Sequence, residues 1–236
     1  MFISIIKNIV TGDKLAKVLG LVQQAQFVDG RISGGTERDK TNLELAPESD
    51  RYVDVLNIVE VAVREHMEFN LTAFPRYMTR PIISRYESGM FYKQHVDLPV
   101  MGFMSGGKPA NRGLSPVGTG YVRSDLSMTL FLAPPDSYEG GELSFEATPH
   151  PLQMKLEAGS AILYPTGTRH QVIPVTKGAR LAAVFWIQTM FPVEAHRRAV
   201  CDAHRLVTML AAKPESPESL LAQDSFYNLC RMFATV

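Results

Sequence analysis

The sequence predicts a mainly β protein with flanking helices, built around an antiparallel sandwich or barrel. Three observations carry that expectation. Between Pro81 and Gln188 the chain breaks into short β-rich runs separated by turn residues. Helical periods precede and follow this region. A glycine-bearing insertion between Leu98 and Ser124 interrupts the β-rich part, and such a length of chain inside a compact domain is either disordered or functional.

Taken in order, Thr11 is placed to cap a helix over Asp13–Gln24, where Leu15, Val18, Leu19 and Val22 fall at i, i+3, i+4 and i+7. A polar stretch with Gly30, Gly34, Gly35 and the charges of "TERDK" reads as a surface loop. The helical period returns over Ser49–Phe69 through Tyr52, Leu56, Val59 and Val63. The strand candidates then follow as "IISRY", "SMTLFLA", "GELSF", "LQMKL", "SAILYP", "HQVIPV" and "RLAAVFWIQ". Glu194–Leu210 is a helix, and Ser216-Pro217-Glu218 opens another in the order cap, N1 proline, first-turn acid. The expected organisation is one structural unit: a helical and loop segment over 1–80 packing on the core, a core over 81–190, and C-terminal helices over 191–236. The C-terminal helices could pair between two copies as a homodimer or form an interaction module.

Bulk properties exclude several classes. The 236 residues carry 24 Lys+Arg and 24 Asp+Glu, so a dedicated nucleic-acid binder, with its basic excess, is not expected. No stretch approaches the roughly 20 apolar residues that span a bilayer, and "MFISIIKNIV" is too short in apolar run for a secretion signal. The two cysteines, Cys201 and Cys230, read as core thiols, and the expected setting is a reducing cytoplasm.

Chemistry is sought first in "RYESGMFYKQHVDLP", where His95 and Asp97 form a His-x-Asp pair. Six histidines in a chain with about one acid per ten residues give about half such a match by chance. A second match, His66-Met67-Glu68, lies in the helical period, where residues two apart diverge by about 200° and cannot share an ion. In an extended segment i and i+2 share a face, so His95 and Asp97 would point together into the sandwich. A carboxylate there is costly unless paired or metal-bound. His170, 73 residues beyond Asp97, is the candidate third ligand. Two imidazoles and one carboxylate suit an open non-haem Fe(II) site better than a closed zinc site, which would favour thiolates. His150 sits in a proline-bounded turn, while His196 and His204 lie on an Arg-rich helix face.

Arg180 follows His170 by ten residues. An arginine aimed into a β-sandwich needs a buried anion, and its fork fits a carboxylate. A three-residue hairpin loop at Thr176-Lys177-Gly178, with Gly178 left-handed, would pair 174 with 180 and turn Arg180 inward beside His170 and Val172. A two-residue turn would send it outward.

With these residues assembled, the chain resembles the iron- and 2-oxoglutarate-dependent dioxygenases, within them the prolyl-4-hydroxylase-like group, and more narrowly the bacterial PKHD-type hydroxylases. The matching pieces are "RYESGMFYKQHVDLP", "SDLSMTLFLAPPDSYEGGELSF" and "LEAGSAILYPTGTRHQVIPVTKGARLAAVFWIQ", with "FVDGRISGG" and "KTNLEL" upstream. Together they cover most of residues 27–190. The resemblance implies a double-stranded β-helix, a jelly-roll and cupin-like core. It implies Fe(II) held by His95, Asp97 and His170, and 2-oxoglutarate anchored by Arg180. Tyr86, ahead of Tyr92, matches the tyrosine that bonds the cosubstrate. L-ascorbate is a further expected cofactor, and O2 the second cosubstrate. The implied reaction hydroxylates a C–H bond of a protein prolyl residue or a small molecule, releasing succinate and CO2. The competing reading is a cupin-like metal-binding or sensing protein without oxygenase activity. The insertion is longer and richer in glycine than the PKHD pattern, and Met101, Phe103 and Met104 in it are candidates for an apolar lid.

Overall fold

The computed structural model describes residues 3–34, 36, 39–101 and 121–235. The N-terminal part contains β1 (Ser4–Ile6), α1 (Gly12–Gln23), β2 (Phe27–Asp29), β3 (Lys40–Thr41), β4 (Leu43–Leu45), α2 (Tyr52–Glu65), α3 (Met67–Ala73) and β5 (Pro75–Met78). Then come β6 (Ile82–Glu87), β7 (Phe91–His95), β8 (Val100–Met101), β9 (Val122–Arg123), β10 (Leu126–Phe131), β11 (Tyr138–Gly140) and β12 (Leu143–Phe145). The chain closes with β13 (Leu152–Met154), β14 (Ala161–Pro165), β15 (His170–Val172), β16 (Val175–Thr189), α4 (Glu194–Met209) and α5 (Pro217–Phe233).

Two antiparallel sheets face each other. The larger has the order β1-β14-β10-β16-β6-β4-β2, with β5 and β11 also pairing with β16; the smaller has the order β13-β12-β15-β7-β3. Strand alternation sorts their side chains. On β16, Leu181, Ala183, Phe185 and Ile187 face Val18 of α1 and Val55, Leu56, Val59 and Val63 of α2, forming the main core. The opposite face of the same strand presents Arg180, Val184 and Trp186 to a cleft between the sheets. Strand β10 repeats the pattern, with Met128 and Leu130 in the core and Thr129 in the cleft. Buried side chains of this size contribute roughly 1.5–3 kcal/mol each, so the helical layer covers one face of the larger sheet and the other face is left for chemistry. The C-terminal helices pack through Val200, Cys201, Phe226 and Phe233 onto Phe74 and Phe191. Cys201 and Cys230 are free thiols. No helix among the described residues is long and apolar enough to cross a membrane.

Several local expectations need correction. The helix read over Ser49–Phe69 breaks at His66, whose backbone is extended (φ −77°, ψ 113°). The ring Nδ1 of His66 accepts the Phe69 N–H at 3.4 Å, and the Asn70 amide donates to the carbonyls of Arg64 and His66 at 2.7 and 3.1 Å. An orphaned backbone group on each side of the break is thereby satisfied, which lowers its cost. Residues 1–80 are not helix and loop alone: β2 and β4 extend the larger sheet and β3 the smaller. These strands are two or three residues long, too short to show a period. Thr11 stands at the N-cap of α1 without a side-chain cap bond, whereas Ser216 accepts the Ser219 N–H at 3.2 Å.

The hairpin at Thr176-Lys177-Gly178 is not formed. β16 runs unbroken through it, and β15 pairs with β12 and β7 instead. Gly178 is left-handed as expected (φ 73°), but its freedom serves the close approach of β11, since a Cβ there would lie 2.3 Å from the Ser137 carbonyl oxygen. Of the lid candidates, Phe103 and Met104 lie outside the described residues. Met101 is half-buried in β8, which pairs with β9 at the base of the insertion.

Candidate active site

Neighbouring strands β7 and β15 place His95 directly opposite His170. Their rings come within 4.3 Å, centroid to centroid. Asp97 lies just past the end of β7 rather than within it, yet its carboxylate turns back to the pair. Its Oδ1 is 3.5 Å from His95 Nε2 and 3.8 Å from His170 Nε2. One ligand atom from each of the three residues lies within 4.8 Å of the others.

Backbone carbonyls fix the ring tautomers. His95 Nδ1 is 2.8 Å from the Lys93 oxygen and His170 Nδ1 is 2.9 Å from the Thr168 oxygen. A carbonyl only accepts, so each Nδ1 carries a proton, and in the neutral form of either ring the Nε2 lone pair points toward Asp97. Two lone pairs and a carboxylate oxygen converge with no proton to share between His95 and Asp97. A cation resolves that arrangement, and two imidazoles with one carboxylate are the donor set of an open Fe(II) site.

A polar layer stands behind these three. Ser127, fully buried, donates to Asp97 Oδ2 at 2.7 Å and lies 3.1 Å from Thr166 Oγ1. The Tyr164 hydroxyl lies 3.2 Å from His170 Nε2. Burial pushes Tyr164 well above the ordinary phenol value, so it keeps its proton. Burial alone would raise Asp97. Its contacts with His95, His170 and the Ser127 hydroxyl outweigh it and hold the carboxyl below its usual range. His170 is held below the ordinary imidazole value by burial, against the pull of Asp97. Both shifts favour the forms that bind metal.

Arg180 enters the same cleft from the facing sheet. It is 2% exposed and its guanidinium carbon lies 5.2 Å from the Tyr86 ring centroid and 5.3 Å from that of Phe131. Its Nε has no hydrogen-bond partner, and no ion pair to an acid is formed by Arg180 among the described residues. Tyr86 is its register partner across β6–β16. Burial raises the Tyr86 phenol, partly countered by Arg180, so it too remains a donor. Gly141 borders the arginine stem; a Cβ there would lie 3.1 Å from Arg180 Cδ. The cleft is lined by all five predicted residues, His95, Asp97, His170, Arg180 and Tyr86, and by Tyr92.

Sequence reasoning missed Ser127, Tyr164 and Trp186, whose buried indole N–H has no acceptor. The signal was present in "SMTLF" and "ILYP": polar atoms at alternate positions of strongly apolar strands mark a second buried face. His66, His150, His196 and His204 lie outside the cleft.

Residues 81–188 match the model of the 2OG-Fe(II) oxygenase superfamily. The chain is 16% identical to a prolyl hydroxylase from Trichoplax adhaerens, solved with a hypoxia-inducible-factor peptide, over 84% of this chain and 86% of that one, with a TM-score of 0.56. A 2OG-Fe(II) family oxidoreductase from Burkholderia pseudomallei superposes with a TM-score of 0.50 at 17% identity, over 78% and 82%. At such identities the likeness establishes the fold, a jelly-roll core. Fold and sequence together define an iron(II)- and 2-oxoglutarate-dependent oxygenase, with O2 and 2-oxoglutarate as cosubstrates. Curated relatives narrow the class. A PKHD-type hydroxylase of Gluconacetobacter diazotrophicus is 33% identical over 98% of both chains, and one of Teredinibacter turnerae is 36% identical over 90% of both. The Escherichia coli PKHD-type hydroxylase YbiX is 33% identical over 98% of both. The chain belongs to the PKHD-type hydroxylases.

Proposed function

We propose that His95 Nε2, Asp97 Oδ1 and His170 Nε2 hold the Fe(II), and that Arg180 with Tyr86 anchors 2-oxoglutarate. The observation that carries this is the pairing of two unmet needs in one cleft: three convergent electron pairs at one end and a buried guanidinium without an acid at the other. Bound iron, 2-oxoglutarate and O2 supply an oxidative decarboxylation that yields succinate and CO2 and hydroxylates a substrate C–H bond.

The chain's own groups have separable tasks. Arg180 takes the distal carboxylate of the cosubstrate through its fork, and the protonated Tyr86 donates beside it. Ser127 holds Oδ2 of Asp97, so that a single oxygen faces the ion. The two Nδ1–H bonds to backbone carbonyls keep both imidazoles in the ligating tautomer. Val172, Val184 and Phe131 keep water from the arginine end and strengthen the charge pairing there. A metal-binding sensor has no use for that arginine, which disfavours the cupin-like alternative.

The substrate we infer is a prolyl residue of a protein or a small molecule carrying an accessible C–H bond. The reading extends to a cytoplasmic setting, to L-ascorbate as a further cofactor, and to pairing of two copies through exposed side chains of α4 and α5 such as Met209, Leu221 and Met232. Anaerobic addition of 2-oxoglutarate to the Fe(II)-loaded protein tests the core of it. A visible charge-transfer band is expected in the parent protein and is lost in Arg180→Ala; a band unchanged by that substitution would refute the arginine's role. Succinate release against a panel of prolyl peptides, free amino acids and siderophores identifies the substrate class.

A further inference from the structure

The segment from Gly30 to Leu45 carries buried polar groups that the reaction does not use. The side chains of Lys40 and Glu44 are 6% and 7% exposed, with Nζ 2.7 Å from Oε1. Lys40 Nζ also donates to the Gly30 carbonyl and to Ser33 Oγ, each at 2.8 Å, and Ser33 Oγ donates to Glu44 Oε1 at 2.6 Å. All three ammonium protons are thus engaged. Lys40 has none left for a substrate, which rules out a direct catalytic or substrate-binding role even though it lines the cleft.

Its surroundings give it a different task. Lys40 stands opposite Tyr92 across β3–β7, so both side chains leave the smaller sheet on the face that lines the cleft. Nζ lies 5.4 Å from the Tyr92 ring centroid, within the range at which a cation is drawn to an aromatic face. Tyr92 in turn stacks on the His95 imidazole at 3.7 Å and 16°. His95 is the looser of the two imidazoles, its side chain 19% exposed against 5% for His170. Besides its hydrogen bond to Lys93 and its contacts with Asp97 and His170, the stacked face of Tyr92 orients it. Glu44 is anchored on the other sheet, opposite Ser84 across β4–β6. The pair therefore joins β3, which lies beside the strand that carries His95, to β4, which lies beside the strand that carries Tyr86, along one flank of the cleft. A buried ion pair is a poor device for stability alone, since apolar replacements of similar size are often neutral or better.

We propose that the Lys40–Glu44 ion pair is a positioning pair for the metal ligand His95, acting through the ring of Tyr92. This rests on the metal-centre reading above. It is tested by anaerobic Co(II) titration, followed by visible absorption, of the parent protein and three variants, with thermal unfolding of each measured free of metal.

Lys40→Met/Glu44→Met removes both charges and leaves no buried ion unpaired. The expected result is a metal-free unfolding temperature close to the parent with Co(II) affinity at least about tenfold weaker, the scale of losses when a ligand's outer partner is removed. Tyr92→Leu should weaken Co(II) similarly, and Tyr92→Phe, which keeps the ring, should restore parental affinity. Parental affinity in the double variant or in Tyr92→Leu overturns the proposal while leaving the metal centre intact. Should the double variant not fold, the contrast between Tyr92→Leu and Tyr92→Phe decides. A parent protein that takes up no Co(II) overturns the metal centre and the positioning pair together.

Discussion

Ser127 donates its hydroxyl to Oδ2 of Asp97 at 2.7 Å, which leaves Oδ1 alone to face the two imidazole nitrogens. The carboxylate is thereby committed to offering one oxygen, and an Fe(II) held by the proposed three residues would keep positions for the cosubstrate and O2. Ser127→Ala frees Oδ2. Metal affinity is expected to fall by about 10- to 100-fold, measured by Mn(II) or Co(II) titration, with Ser127→Thr retaining most of it. Unchanged affinity in the alanine variant would show that the hydroxyl has no hold on the ligand.

Arg180→Met should leave the metal ligands in place and remove the anion partner. Losing one side of a buried charge pair costs 2 kcal/mol or more, so 2-oxoglutarate should bind at least about thirtyfold more weakly. Isothermal titration of the Mn(II)-loaded protein reads this directly. Metal affinity itself is expected to stay near parental.

The metal-free protein should lose stability in mild acid. His170 has its pKa held below 6.5 by burial, while the unfolded imidazole titrates near 6.5. The unfolded chain therefore binds more protons between those two values, so the contribution is complete above pH 6.5 and is lost as pH falls through the folded value. Denaturant midpoints taken from pH 7.5 downward check this. A bound ion, which competes with the same protons, should shift the loss to lower pH.

Gly178→Ala tests why β11 can lie against β16. A left-handed backbone (φ 73°) and a Cβ placed 2.3 Å from the Ser137 oxygen both oppose any side chain there. A destabilisation of about 1–3 kcal/mol is expected in chemical denaturation. Cosubstrate affinity should fall with it, because Tyr138 of β11, paired opposite Gly178, flanks the same glycine as Arg180: a Cβ on Gly141 would lie 3.1 Å from both side chains.

What was legible in the sequence follows from what has a period or a spacing. His95 and Asp97 were separable from the decoy His66-x-Glu68 because an extended segment and a helix aim i and i+2 differently. His66 turned out to end a helix rather than sit inside one, and its ring caps the next. The hairpin expected to turn Arg180 inward does not form. Arg180 faces the cleft because it shares a face of β16 with Val184 and Trp186, a parity that the run "RLAAVFWIQ" already contains. Strands β2, β3 and β4 could not be read, since two or three residues stabilised by neighbours far along the chain leave no local pattern. For the same reason Lys40 looked like one more charge in a polar loop, although it is buried against Glu44.

The most direct measurement of the metal centre is a crystal structure with Mn(II) and 2-oxoglutarate, using anomalous scattering to locate the ion. A single peak bonded by His95 Nε2, Asp97 Oδ1 and His170 Nε2, with the cosubstrate's distal carboxylate on Arg180, is the expected result. An ion held elsewhere, or a cosubstrate that leaves Arg180 without its carboxylate, would contradict it.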